Sequence, residues 1–151
     1  AEVIIGGKFN GLTENLIPFT ADDDPAAGLR FGFKAAQITI SAIRGEVQSY
    51  CYPISVTSHP TEALNQDKVS MGTISARKLA EQIDLVYLQF ATHLLACMQA
   101  VDLCGVKDFS PFTQKVYEEV RKISKFVLDD RALDKEATTV AEWLKSTEVF
   151  A

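Results

Sequence analysis

Residues 75–103 read SARKLAEQIDLVYLQFATHLLACMQAVDL, and this stretch decides the fold. Leu79, Ile83, Val86, Phe90, Leu94, Cys97 and Val101 step by fours and threes, the recurrence that stacks side chains on one face of an α-helix. At 1.5 Å per residue such a helix is roughly 40 Å long. Leu85, Tyr87, Leu88, Leu95 and Met98 lie off that stripe. The helix is therefore apolar over most of its circumference and predicts burial on most sides. A chain of 151 residues has difficulty covering such a rod, so partner helices from other chains or from a further region are expected.

Reading outward, Gly105 suits the position just past a helix end. Ser110-Pro111 is a helix start, a hydroxyl cap followed by proline at the first helical position. Val116, Val120, Ile123 and Val127 give that helix its apolar stripe, and Asp129-Asp130 is expected to close it. Asp134 can cap a last helix through Val140, Trp143 and Leu144. Upstream, Phe33, Ala36, Ile40, Ile43 and Val47 recur at helical spacing, which predicts a helix over 29–50. Residues 1–28 read as irregular, punctuated by Gly6-Gly7 and Gly11. Residues 51–72 carry Pro53 and Pro60 and a polar run ending at Gly72, too long for a simple connector; such loops inside compact domains are usually functional. A short run around Tyr52–Thr57 is the one stretch with β-like alternation. The fold class is all-α, with one domain divided into 1–28, a helix at 29–50, a loop at 51–72, a core helix at 75–104 and further helices at 110–151.

Composition narrows the function. Fifteen Lys and Arg against twenty Asp and Glu give a net charge of −5, which argues against nucleic acid, since polyanion affinity comes mostly from cationic side chains displacing counterions. No apolar run is long enough to span a bilayer, and the first residues, Ala1 to Gly7, lack the basic and long apolar stretches of a secretory signal. Three cysteines, all in apolar segments, are expected to be buried reduced thiols of a cytoplasmic protein, with Cys97 and Cys104 seven apart on one helix face. His59 and His93 have no metal-ligand spacing with each other or with cysteine. His93, inside the long apolar helix, is expected to be a hydrogen-bonded core residue.

The chemistry-bearing segment is Pro60-Thr61-Glu62-Ala63-Leu64-Asn65-Gln66-Asp67-Lys68-Val69-Ser70-Met71-Gly72. By spacing alone, these polar groups are a capping and turn network for the helix that follows. Glu62 and Gln66 are four apart, however, and a helical turn would aim both the same way, as a polar cluster facing a ligand requires.

Residues Asn65-Gln66-Asp67-Lys68-Val69-Ser70-Met71-Gly72 through Lys78 resemble the signature region of the aromatic amino acid ammonia-lyases and aminomutases. Gly6-Gly7-Lys8-Phe9-Asn10-Gly11 resembles that family's Gly-Gly-Asn-Phe-x-Gly. Gly32-Phe33-Lys34-Ala35-Ala36-Gln37 resembles the start of its next core helix, and Cys97-Met98-Gln99-Ala100-Val101-Asp102-Leu103 a further stretch. The resemblance covers nearly the whole chain and implies the C-terminal portion of a protein several times longer, with 51–72 as an active-site loop. The start at Ala1 fits a nicked or split polypeptide.

The resemblance implies a methylidene-imidazolone prosthetic group, formed from an Ala-Ser-Gly that lies outside this chain, and a tyrosine base that is also outside it. The electrophile takes the substrate amine, the base removes a β-proton, and elimination gives ammonia and an α,β-unsaturated acid. Position by position, it implies that Phe9 packs beside the prosthetic ring. Glu62, Asn65 and Gln66 form the polar cluster near the substrate amine, and Lys34 and Ile38 line the aryl pocket. Histidine-specific members usually carry Glu at the Gln66 position and often Met at Lys34, so the expected substrate is phenylalanine or tyrosine. The alternatives are a histidine ammonia-lyase or an aromatic 2,3-aminomutase, and beyond those a non-catalytic helical assembly module. Lys8 stands where the family has Asn. The implied partners are the N-terminal portion of the same protein and three further copies in a homotetramer built on a multi-helix bundle of long central helices. Alone, the chain is expected to be inactive.

Overall fold

A computed structural model of the chain describes residues 1–6, 11–18 and 24–149. These residues form five α-helices, α1 (Glu2–Ile5), α2 (Lys34–Ser49), α3 (Gly72–Cys104), α4 (Pro111–Ile123) and α5 (Asp134–Ser146), with short 3-10 turns between them and no strand. The β-like run at Tyr52–Thr57 makes no strand; Pro53 leads instead into a 3-10 turn over Ile54–Thr57.

α3 has 33 residues, about 50 Å at 1.5 Å each, and organises the rest. It starts at Gly72, three residues earlier than the periodicity implies, and stops at Gly105, whose φ of 99° needs no Cβ and whose N–H donates to Val101 O at 2.9 Å. The carboxyl third is buried almost all round: Ala91, Leu95, Ala96 and Met98 are at most 3% exposed. α5 packs there with Val140, Ala141 and Leu144, and α2 packs alongside. The amino half is different. Leu79, Ile83, Val86 and Phe90 are 47–56% exposed, because among the described residues α2 flanks them only across open grooves. The α2 stripe behaves as its spacing demands, with Phe33, Ile40 and Ile43 buried.

α4 opens as read from the sequence, with Ser110 Oγ accepting from Thr113 N at 3.2 Å and Pro111 first in the helix. It does not run to Asp129-Asp130. It ends at Ile123, and Ser124 turns extended. The reason is a tertiary hydrogen-bond partner. Gln99, 1% exposed on α3, accepts from Val127 N at 3.0 Å through Oε1. Its Nε2 donates to Val127 O at 2.8 Å and to Leu16 O at 3.4 Å. One buried carboxamide thus satisfies the backbone of two irregular segments, which could not otherwise be buried. Ser124 is buried too, and its hydroxyl donates to Glu136. Burial disfavours the Glu136 carboxylate, but hydrogen bonds from Arg131 and Ser124 outweigh it and hold the group below its ordinary value.

The cysteines depart from the sequence expectation. Cys51 and Cys104 are exposed, at the ends of α2 and α3 where the helices leave the core, and only Cys97 is half-buried. Its Sγ lies 3.6 Å from His93 Nε2, one turn earlier. Burial raises the Cys97 thiol and lowers the His93 imidazole from their usual values, and His93 Nδ1 is buried with no hydrogen-bond partner.

Gln99→Leu keeps the volume but strands the Val127 N–H and C=O, and is expected to cost about 2–6 kcal/mol, from roughly 1–3 kcal/mol per unsatisfied buried group. Urea denaturation checks this, and a loss below about 1 kcal/mol would show the amide to be dispensable. His93 is neutral-favouring in the fold, so its contribution is full above the unfolded pKa of about 6.5 and is lost as pH falls below it. The urea midpoint is expected to drop between pH 7.5 and 5.5, and to drop less in His93→Gln.

Candidate functional site

The loop from 51 to 71 does not form the helical turn that would have aimed Glu62 and Gln66 together. Glu62, Ala63 and Leu64 have φ of 52°, 51° and 72°, three consecutive non-glycine residues in the left-handed region, each costing about 1–2 kcal/mol. The excursion is closed by two backbone bonds, Thr61 N to Gln66 O at 3.0 Å and Gln66 N to Thr61 O at 3.3 Å. Glu62 is thereby paired with Asn65, whose Nδ2 donates to Glu62 Oε2 at 3.4 Å and whose N–H donates to Glu62 O at 3.0 Å. The Thr61 hydroxyl donates to Gln66 Oε1 at 3.5 Å. Farther along, Val69 N donates to Ser58 Oγ at 2.7 Å and ties the base of the loop together.

Nor does this loop cap α3. The residue before the helix is Met71, itself left-handed at φ 56°, and no side chain bonds the first turn. Glu62, Asn65 and Gln66 are all exposed and held by long side-chain bonds. One carboxylate and two carboxamides offer acceptors and donors to a ligand or to another polypeptide.

Lys34 and Ile38 stand on a different element, one turn apart on the exposed face of α2. The Lys34 ammonium lies 5.4 Å from the centre of the Phe31 ring, and Phe31 and Ile38 are each 59% exposed. The entry to α2 is tightly made. Helix α2 begins five residues later than residue 29 because Gly32 takes φ +51°, and a Cβ there would lie 2.4 Å from Asn15 O. Phe33 N donates to that same oxygen at 2.8 Å. Asp130 accepts from Phe31 N at 2.7 Å and from Gly32 N at 2.9 Å. Arg30 bridges Asp24 at 2.6 Å and Asp129 at 2.9 Å. The hydrogen bond from Arg30 is the main reason the Asp24 carboxyl sits below its usual range. Asp129-Asp130 does not close a helix, and only the approach of the two segments reveals what the pair binds.

Phe9 and Lys8 lie outside the described residues. Two open grooves between α2 and α3, about 440 and 600 Å³, are lined by other residues, among them Arg44, Gln82, Val86, Phe90 and His93. Among the described residues no group of three His, Cys, Asp or Glu could hold a metal ion, and no helix is long and apolar enough to cross a membrane.

The family model for aromatic amino acid lyases matches residues 2–122. The chain is similar to a histidine ammonia-lyase from Geobacillus sp. (strain WCH70), with 35% identity over 139 residues, 92% of this chain and 27% of that protein. Among solved structures, histidine ammonia-lyase from Trypanosoma cruzi aligns with a TM-score of 0.86 and 30% identity, over 99% of this chain and 28% of that one. Tyrosine aminomutase from Streptomyces globisporus aligns with a TM-score of 0.81 and 34% identity, over 93% and 26%. The chain spans about a quarter of the length of these relatives.

Proposed function

This chain belongs to the aromatic amino acid lyase family, and on that premise we propose that it is part of an enzyme that eliminates ammonia from an aromatic amino acid, histidine first among the substrates. The observation that carries the reading is the similarity to a histidine ammonia-lyase along 92% of the chain. It outweighs the expectation of phenylalanine or tyrosine drawn from Gln66 and Lys34. A second reading, an aromatic aminomutase, is favoured by the 34% identity to tyrosine aminomutase; it shares the elimination and then returns the amine to the β-carbon.

Ala-Ser-Gly does not occur in the 151 residues, so a methylidene-imidazolone would come from the proposed N-terminal portion. The donor set of the loop fits such a group. Asn65 and Gln66 are neutral amides with exposed donors, and their bonds at 3.4 and 3.5 Å are weak enough to be exchanged. When bound, that group supplies an electrophile for the substrate amine, which makes nitrogen a better leaving group. Glu62 accepts from the substrate ammonium or takes up a proton. Asn65 and Gln66 would orient the substrate by hydrogen bonds and Lys34 and Ile38 would meet the aryl group, while Phe9 is assigned to the prosthetic group by the resemblance alone. The barrier is the weak acidity of the β C–H, lowered by a positioned base and a preorganised polar setting. The half-exposed apolar face of Leu79, Ile83, Val86 and Phe90 supports a homotetramer. Covering it is worth about 1 kcal/mol per side chain.

The test begins with a denaturing intact-mass spectrum of the complete protein, expected to be two waters lighter than its encoded mass. Histidine, tyrosine and phenylalanine are then assayed for release of ammonia, with histidine turned over fastest. Gln66→Ala is expected to lower kcat/KM at least about tenfold, one transition-state hydrogen bond being worth about 1.4 kcal/mol. An undiminished mass with no turnover would leave the chain as a helical assembly module, and unchanged kinetics in Gln66→Ala would remove that residue from the site.

A further inference from the structure

The bend from Arg30 to Phe33 is held from two directions. From one side, the carbonyl of Asn15 accepts the Phe33 N–H. From the other, the segment after α4 reaches across with Asp129 against Arg30 and with both Asp130 oxygens on the N–H groups of Phe31 and Gly32, at 2.7 and 2.9 Å. A carboxylate accepting two backbone N–H groups makes the stronger, charge-assisted kind of hydrogen bond, and negative charge at the start of a helix is favoured by its dipole. Asp130 itself is exposed, so it adds nothing to the apolar core.

We infer that Asp130 is a positioning residue for the substrate-facing side chains at the amino end of α2, acting through the backbone of Phe31 and Gly32. The inference rests on the reading of Lys34 and Ile38 as aryl-side residues. Successive helix residues are turned by about 100°, so the orientation of the peptides at 31–33 sets the direction in which Lys34 and Ile38 project one turn further on. Gly32 is left-handed, and without its anchor this bend has other conformations open to it, glycine being the most permissive residue. Small displacements of groups that orient a substrate carry large kinetic penalties. Asp129 and Asp130 lie beyond residue 122, where the match to the family model ends.

The test is steady-state kinetics on the complete enzyme. Asp130→Ala is expected to raise KM for the preferred amino acid about fivefold or more while kcat stays within about twofold. Asp130→Asn, which retains one acceptor oxygen, is expected to fall between. Val140→Ala, a core substitution in α5, is the control: it lowers thermal stability and is expected to leave KM unchanged. An unchanged KM in Asp130→Ala, or an equal rise in Val140→Ala, overturns the inference. Lys34→Ala and Ile38→Ala separate it from the reading beneath it. If they shift the preference between histidine and tyrosine while Asp130→Ala does not, the Asp130 inference alone falls. If they shift nothing, the aryl-side reading falls and takes the inference with it. Should Asp130→Ala not fold, hydrogen exchange of peptides spanning 29–36 in Asp130→Asn decides: faster exchange than in the unaltered enzyme is expected, and unchanged protection overturns the proposal.

Discussion

The side chain of Gln99 is the interaction on which the rest of the arrangement depends. It sits on the buried carboxyl third of α3 and bonds the backbone at Val127 and Leu16. Those segments lie far apart in sequence, and each precedes or follows an element needed at the candidate site. Leu16 neighbours Asn15, which receives the Phe33 N–H; Val127 precedes Asp129 and Asp130, which grip residues 30–32. An apolar residue at 99 would leave main-chain groups dry and unpaired, the most expensive arrangement in a core. The entry geometry of α2 therefore rests on one amide far away in the chain, on another helix.

α3 divides the molecule into a finished and an unfinished half. Around Ala91–Val101 the chain supplies its own cover through α5, α2 and the amino-terminal segment. Around Leu79–Phe90 it supplies little, and a row of large apolar side chains stays near half exposure. Lys145 marks the border: it binds Asp84 at 2.9 Å and lies over the Tyr87 ring, covering α3 with its aliphatic stem where the core runs out. The strained 62–64 loop and the exposed amino end of α2 are unfinished in the same sense. Both present groups that this chain alone leaves facing solvent, as expected of a segment about a quarter the length of its relatives.

The strain at Glu62, Ala63 and Leu64 also separates two ways of using a polar loop. Had these residues wound into a right-handed turn, Glu62 and Gln66 would share a face and could bind one ligand side by side. The left-handed path instead pairs Glu62 with Asn65 and Gln66 with Thr61, two small polar units rather than one. Strain of this kind persists where surrounding structure holds it, and here the bridge between Thr61 and Gln66 does so.

The all-α class, the length and position of α3, its stop at Gly105 and the Ser110-Pro111 start were legible in the sequence, because periodicity, glycine and capping residues act within a few positions of where they stand. The family was legible too, since its motifs are contiguous. The end of α4 at Ile123 was not: Val127 continues the helical stripe, and only a partner at Gln99 makes the extended path better. Nor was the path of 62–66, whose spacing suits a helix that backbone pairing overrides, or the late start of α2, set by Asn15 and Asp130. Local chemistry decides which elements exist. Where they stop, and what their ends hold, is decided by hydrogen-bond partners distant in the chain, which no local pattern records.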